Sequence, residues 1–387
     1  MAARAIRLSD LGLTARAGRD PALSGITADS RAVRAGMLFA ALPGTVTHGA
    51  KYIPSVLEQG AVAVLTDAEG AKLAAEALAD TDVALVVAED PRAALACAAA
   101  LWFGAQPEVM VAVTGTNGKT SVATFTRQIW AALGREAINI GTTGIEGAWT
   151  APSSHTTPDA VTLQKLLAAA AAGGVTHAAM EASSHGIDQR RLDGVRLRAA
   201  GFTNLTQDHL DYHKTMEAYF EAKAQLFTRL LPDDGVAVVN LDGAKGSDMA
   251  ELALNRGLRV LTVGKGQGAD LQIAATQPDA TGQEVRYLWQ GRAFQTRLNL
   301  IGAFQAENVA VAAGLAIAAG EAPEAVLAVL PRLTGVRGRM QLAATRRNGA
   351  AVYVDYAHTP DAIETALRAL RPHVMGRIIV VFGAGGD

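Results

Sequence analysis

The sequence predicts an α/β protein of three successive units, the middle one organised around a phosphate-binding loop. Three observations carry this reading. Residues 109–120, Val-Met-Val-Ala-Val-Thr-Gly-Thr-Asn-Gly-Lys-Thr, set a short apolar β-branched run before a glycine loop and an apolar-patterned helix with Ile129, Trp130 and Leu133. Short apolar strands alternate with helical stretches to about residue 333, and polar residues gather just after the strands. From about residue 335 a single strand–helix–strand pattern runs to a glycine-rich end.

In residues 1–105, strands are expected at 61–65 and 83–87, and Asp90-Pro91 starts a helix as N-cap and N1. Two polar patches stand out there: Asp29-Ser30-Arg31, and 45–51 around His48-Gly49. Such loops suit a diphosphate or a uracil, and solvated turns have the same composition. Gln106-Pro107 makes a linker into the central unit, 106–334. There Thr157-Pro158 reads as the N-cap and N1 of a helix through Leu163, Leu166 and Leu167 to Gly173-Gly174. Strand 175–182 ends in Glu181-Ala182-Ser183-Ser184-His185-Gly186. Strand 199–203 precedes Asn204 and then Asp208-His209-Leu210-Asp211-Tyr212-His213, and strand 236–239 precedes Asn240-Leu241-Asp242. Open α/β sheets bind ligands beyond the carboxyl ends of their strands. Residues 270–300 alternate in polarity, with Gln290-Gly291 as a hairpin turn, and Gly302 precedes helix 304–319 carrying Asn308. The last unit, 335–387, holds strand 351–356, helix 360–370, strand 378–382 and a glycine crest, 383–387. Some fifty residues bury little core of their own, so this unit is expected to be an incomplete domain.

Half of the 387 residues are apolar and the formal charge is −2, so no basic excess points to nucleic acid. The first seven residues lack the apolar core of a signal peptide, and the Ala-rich runs 93–101 and 168–172 are too short to span a bilayer. The expectation is a cytoplasmic protein with no membrane partner. The single cysteine, Cys97, forms no internal disulfide and is expected as a small core residue of a helix. Nothing in the chain reports its oligomeric state.

In the glycine loop, backbone N–H groups and the helix dipole face an anion, Lys119 reaches the outer phosphates, and the Thr120 hydroxyl can hold Mg²⁺. Val113 stands where the full G-x-x-x-x-G-K-[ST] pattern has its first glycine, so the loop is built differently. It is read as a nucleotide site. Glu181 and His209 follow neighbouring predicted strands and face the crest of Lys119. Glu181 with the Thr120 hydroxyl is the natural first Mg²⁺ site. His209 reads equally as a ligand or as a hydrogen-bonded cap of its loop. His209-x₃-His213 permits two zinc ligands, but no cysteine or third ligand is near, and zinc is not expected. Lys223, on a helical pattern with Tyr219 and Phe220, reads as a solvated helix lysine on physical grounds alone.

Four segments then change these readings: Thr114–Thr120 (TGTNGKT), Glu181–Arg191 (EASSHGIDQRR), Asp208–His213 with Tyr219 and Lys223 (DHLDYH, YFEAK), and Asp355–Asp361 (DYAHTPD). Together, and in order, they resemble the Mur ligases, and in detail the UDP-N-acetylmuramoyl-tripeptide synthetases, the MurE type. The loop is common to the superfamily, folylpolyglutamate synthetases included, whereas SSHG-x-x-Q-x-R and DHLDYH are specific to this member. The resemblance implies an ATP-dependent amide ligase with a central ATP-binding domain and a Rossmann-like third domain. Its substrates would be UDP-MurNAc-L-Ala-D-Glu and a diamino acid. The D-Glu carboxylate would pass through an acyl phosphate, in peptidoglycan precursor synthesis.

By the same resemblance Gly115, Thr116, Asn117, Gly118, Lys119, Thr120 and Ser121 cradle ATP, with Asn308, Arg339 and Asp355 on its adenosine side. Thr120, Glu181 and His209 would hold Mg²⁺, joined by Lys223 as a carbamate. Ser30 and the 45–51 loop with His48 would take the uridine diphosphate. Thr156, Thr157, Ser183, Gln189 and Arg191 would take the muramoyl-dipeptide. Gln341 stands where the family often has an acid, and the Asp-Asn-Pro-Arg-type motif that grips the incoming amino acid is absent. That absence makes little tripeptide formation the expectation for these 387 residues. It leaves meso-diaminopimelate favoured over lysine by frequency in the family alone. The alternatives are another amide ligase, such as a folylpolyglutamate synthetase, and a catalytically incomplete nucleotide- or UDP-sugar-binding protein.

Overall fold

The computed structural model describes residues 5–44, 47–153 and 155–383. Residues 45 and 46 of the second polar patch and 384–387 of the glycine crest lie outside the described residues. Strands β1 (Gly25–Thr27), β2 (Met37–Ala40), β3 (Ala63–Thr66) and β4 (Ala84–Val87) form a parallel sheet in sequential order. Helices α1 (Ile53–Glu58), α2 (Ala68–Leu73), α3 (Ala75–Leu78) and α4 (Pro91–Phe103) accompany them. Asp90 caps α4 as expected, accepting the Ala93 N–H at 3.0 Å with Pro91 in the first turn. The helix buries Leu95, Ala96, Ala98 and Ala99, which centres Cys97 on the opposite face. Cys97 is therefore exposed, against the expectation of a core residue.

The chain continues through β5 (Val109–Thr114), α5 (Lys119–Ala132), β6 (Ala137–Gly141), β7 (Gly144–Gly147), α6 (Ala160–Ala172), β8 (His177–Glu181), α7 (Ser184–Asp188) and β9 (Ala199–Phe202). Next come α8 (Leu210–His213), α9 (Met216–Gln225), β10 (Val236–Asn240), α10 (Gly246–Asn255), β11 (Arg259–Gly264) and the meander β12 (Leu271–Asp279), β13 (Gly282–Trp289), β14 (Arg292–Leu298). Helices α11 (Phe304–Ala318) and α12 (Pro323–Val329), strands β15 (Gln341–Thr345) and β16 (Ala351–Val354), and α13 (Pro360–Leu370) complete it.

Two compact units result: Met1–Pro107 with Thr157–Gly174 and His185–Arg196, and Glu108–Thr156 with Val175–Ser184 and Leu197–Asp387. In the first, α6 packs on α4, and the buried Gln106 amide donates to Gln164 Oε1 (2.9 Å) and to the Gly194 carbonyl (2.7 Å). The cap of α6 is Asp159, whose carboxylate accepts the Val161 and Thr162 N–H groups. Thr157 was expected there; it lies buried two residues before the cap.

The second unit holds a ten-stranded sheet in the order β14-β13-β12-β11-β10-β9-β5-β8-β6-β7. From β12 to β6 it is parallel, with antiparallel edges. Parallel strands covered on both faces run apolar, as β5 does from Val109 to Val113 and β10 from Val236 to Val239. Gln290 and Gly291 form the tight turn of the β13–β14 hairpin with φ of +46° and +85°. Strands β8 and β9, read as neighbours from the sequence, instead flank β5 on either side. Helix α5 buries Val122, Phe125 and Ile129 at helical spacing, and α11, buried along nearly its whole length, packs against it.

The expected strand at 378–382 is not formed. Among the described residues no strand lies beside it, and Ile379, Val381 and Phe382 are exposed.

Candidate active site

At the carboxyl end of β5 the chain turns through Gly115 and Gly118 into α5. Gly115 has φ +145°, and a Cβ there would run into Thr203 Oγ1 while standing 3.1 Å from the Asn204 backbone. Gly118, at φ +90°, would bring a Cβ to 2.5 Å from Asn308 Oδ1. Both positions combine positive φ with close approach, and only glycine meets both demands.

The stretch after β9 supports the loop. Thr116 N–H donates to the Asn204 carbonyl (2.9 Å) and Asn117 N–H to Asn204 Oδ1 (3.0 Å), while the Thr203 hydroxyl donates to the Asn117 carbonyl (2.6 Å). The Thr116 hydroxyl donates to the Thr206 carbonyl (3.1 Å) and accepts the Thr206 N–H (2.9 Å). Asn117 remains exposed, whereas Thr116, Thr120 and Ser121 are buried.

Two lysines meet on one carbonyl. Lys119 Nζ donates to the Gly115 oxygen (2.9 Å) and the Thr116 oxygen (2.8 Å), and Lys223 Nζ donates to the same Gly115 oxygen (2.9 Å). Lys223 is 1 % exposed, contrary to the reading as a solvated helix lysine, and its Nζ lies 4.2 Å over the Tyr219 ring. Burial, and then the neighbouring Lys119, hold its pKa well below the ordinary lysine range. Lys119 is lowered too, chiefly by burial. Burial also pushes the Tyr219 phenol up to about 12.

Opposite them, the Thr120 hydroxyl donates to Glu181 Oε2 (2.9 Å), and Glu181 Oε1 accepts the Thr142 N–H (2.7 Å). Glu181 is 1 % exposed. Arg339 Nη2 donates to the same Thr120 hydroxyl (3.0 Å), with its guanidinium 4.3 Å over the Tyr356 ring. Asp355 orders that segment by accepting the Met340 (2.7 Å) and Ala357 (2.8 Å) N–H groups. His209 sits at the start of α8 with φ +53°, its Nε2 3.6 Å from Asp208 Oδ2, and partial burial lowers its pKa. It precedes the first turn of α8, so it does not share a helical face with His213. Among the described residues no group of three or more His, Cys, Asp or Glu side chains is arranged to hold a metal. The buried Thr120 hydroxyl and Glu181 carboxylate are both oxygen donors, the donor type that a hard cation prefers.

Residues 113–316 match the Mur ligase middle domain, 338–387 the Mur ligase glutamate ligase domain, and 22–102 the catalytic domain of the Mur ligase family. The chain belongs to the Mur ligase family. It is 48 % identical to the UDP-N-acetylmuramoyl-L-alanyl-D-glutamate--2,6-diaminopimelate ligase of Caulobacter vibrioides, over 98 % of this chain and 78 % of that one. A solved structure of a ligase of that name is 34 % identical with a TM-score of 0.79, covering 95 % of this chain and 74 % of the other. MurF from Acinetobacter baumannii, 20 % identical with a TM-score of 0.66 over 94 % and 75 % of the two chains, shares the fold. The protein thus has the three-domain α/β fold of a Mur ligase, and it is an enzyme of the ligase class.

Of the Mur ligase residues expected to bind substrate, Ser30, His48, Thr157, Gln189 and Arg191 fall in the first compact unit, and Thr156 and Ser183 in the second. Arg191 donates to Gln189 Oε1 and to the Thr157 carbonyl, both at 2.7 Å, so these three form one cluster. Next to them Arg190, at φ +58°, reaches back to Asp90 (2.8 Å). Thr156 Oγ1 lies 3.0 Å from Thr142 Oγ1. Ser30 begins a short 3₁₀ turn capped by Asp29, which the Arg31 guanidinium holds below the usual carboxylate range. Asn308 lies beside Gly118 and donates to Gln305 Oε1 (3.2 Å).

Residues missed in the sequence are Thr203, Thr206 and Gln305, and the partner of His48, Asp67. Asp67 carried one available signal, its place as N-cap just after a strand. No helix among the described residues is long and apolar enough to cross a membrane.

Proposed function

We propose that this chain adds a diamino acid, meso-diaminopimelate, to UDP-MurNAc-L-Ala-D-Glu at the expense of ATP, as a cytoplasmic step of peptidoglycan precursor synthesis. The observation that carries the reading is the buried Thr120–Glu181 pair beside two lysines that converge on Gly115. The names of the 48 % and 34 % identical relatives support the choice of substrates. The family matches at 22–102, 113–316 and 338–387 support functional domains at 1–105, 106–334 and 335–387.

In this reading the backbone N–H groups of 115–118 and the start of α5 cradle the ATP phosphates, and Lys119 and Ser121 contact them. Asn308, Arg339 and Asp355 hold the adenosine side. The D-Glu γ-carboxylate takes the γ-phosphoryl group to give an acyl phosphate and ADP. The amine of the diamino acid then attacks the acyl carbon, phosphate leaves with the C–O bond pair, and the amine proton is lost to solvent. The protein's work is to orient these groups and exclude water, and orientation of this kind is worth about 7–11 kcal/mol of barrier.

Thr120, Glu181 and His209 would hold Mg²⁺, which supplies charge neutralisation on the phosphates when bound. Lys223 fits the same role only as an anion. Its depressed pKa supplies the neutral amine that attacks CO₂, giving a carbamate and releasing one proton. Ser30 and the patch around His48 serve the uridine diphosphate, and Thr156, Thr157, Ser183, Gln189 and Arg191 the muramoyl-dipeptide.

The test is product formation by mass spectrometry, with UDP-MurNAc-L-Ala-D-Glu or a folylmonoglutamate as acceptor and meso-diaminopimelate or L-lysine as donor. Tripeptide from the UDP-linked acceptor and diaminopimelate is the expected product, and its yield checks the sequence-based expectation of little ligation. ATP turnover driven by the folate acceptor instead would reassign the enzyme within its superfamily.

A further inference from the structure

His48 lies in the polar patch assigned above to the uridine diphosphate, yet both of its ring nitrogens are engaged by the protein itself. Nδ1 accepts the Ala50 N–H at 3.0 Å, capping the 3₁₀ turn Gly49–Tyr52. A nitrogen that accepts carries no proton, so the neutral ring bears its proton on Nε2. Nε2 faces Asp67 Oδ1 at 3.1 Å, across 19 residues of sequence. Asp67 in turn caps α2, its Oδ1 accepting the Gly70 N–H at 2.7 Å. The ring lies over Gly70, where an added Cβ would stand 2.5 Å from His48 Cε1 and would also collide with Thr66 Oγ1. Thr66 Oγ1 itself donates to the Ala41 carbonyl (2.8 Å), and Gly49 N–H donates to the Leu42 carbonyl (2.8 Å). Ala41, Leu42 and the turn that starts at Gly49 are thus tied to one another, to Thr66 at the end of β3 and to the start of α2.

We infer that His48 is a positioning residue for the UDP-linked substrate: with Asp67 it clamps the Gly49–Tyr52 turn to the start of α2, and it does not itself touch the ligand. The inference rests on the assignment of this patch to the uridine diphosphate. Holding that turn in place before the ligand arrives removes part of the ordering cost of binding. The clamp therefore acts on substrate affinity and leaves the chemistry at Lys119 and Glu181 untouched.

Two variants separate the bridge from the caps. His48→Asn keeps an acceptor for the Ala50 N–H but cannot reach Asp67. Asp67→Ser keeps a cap on α2 but cannot reach His48. Each is expected to raise KM for UDP-MurNAc-L-Ala-D-Glu roughly five- to tenfold, the worth of one partly buried hydrogen bond, with kcat and the KM for ATP unchanged. The double variant should be no worse than either single one, because both remove the same bond. Nitrogen NMR of the wild-type ring should show the Nε2–H form.

If His48→Asn alone raises KM and Asp67→Ser does not, His48 is a direct ligand contact and the inference is overturned. An Nδ1–H ring, or a loss in kcat in place of KM, overturns it as well. Absence of any binding of the UDP-linked substrate to the wild-type chain would instead remove the functional assignment on which it rests.

Discussion

Gly115→Ala is the sharpest probe of the loop that organises the site. At φ +145° a non-glycine residue carries about 1–3 kcal/mol of backbone strain. The new Cβ also displaces the Thr203 hydroxyl, whose hydrogen bond to the Asn117 carbonyl is worth about 1 kcal/mol. Together these amount to roughly 2–4 kcal/mol borne by the nucleotide-binding conformation, or about 30- to 700-fold in affinity at 1.4 kcal/mol per decade. Calorimetric titration with ATP reads this directly. Gly349→Ala is the matched control, since Gly349 also has positive φ, at +82°, but meets nothing within 4 Å. It should leave ATP affinity unchanged. Affinity for the UDP-linked substrate, expected to be unaltered in both variants, reports that the chain is folded. If Gly115→Ala bound ATP as tightly as wild type, the loop would not be the phosphate cradle.

Three other outcomes are expected. Lys119→Ala should abolish ATP binding while UDP-substrate affinity by the same titration stays near wild type. Lys223→Ala should be nearly inactive and partly rescued by acetate, which would stand in for the two oxygens of the proposed carbamate; full activity without acetate would refute that proposal. His177, half-buried against Trp130 with Glu321 nearby, has its pKa lowered chiefly by desolvation. A lowered folded-state pKa means that the unfolded chain takes up the proton first, so stability falls as pH drops through and below about 6.5. Between pH 7 and 5 the wild-type Tm should therefore fall further than that of His177→Gln.

Local signals in this chain were legible because they act over few residues. Asp90-Pro91 starts α4, and Gln290-Gly291 turns the hairpin. The glycine loop joins β5 to α5, with Glu181 at the end of β8 beside it. What the sequence hid depends on tertiary partners. Lys223 looks like a solvated lysine until Gly115, 108 residues away, supplies its carbonyl. His48 gives no sign of its partner until the fold brings Asp67 to its ring. The 157–174 and 185–196 segments join the first unit through packing that no local pattern encodes. The 378–382 run has strand propensity, but a strand also needs a neighbour.

Positional isotope transfer tests the proposed chemistry most directly. UDP-MurNAc-L-Ala-D-Glu carrying ¹⁸O in the D-Glu γ-carboxylate is turned over with ATP and meso-diaminopimelate, and the released phosphate is analysed by mass spectrometry. Passage through an acyl phosphate places one ¹⁸O in each phosphate released. Tripeptide formed with unlabelled phosphate would contradict it.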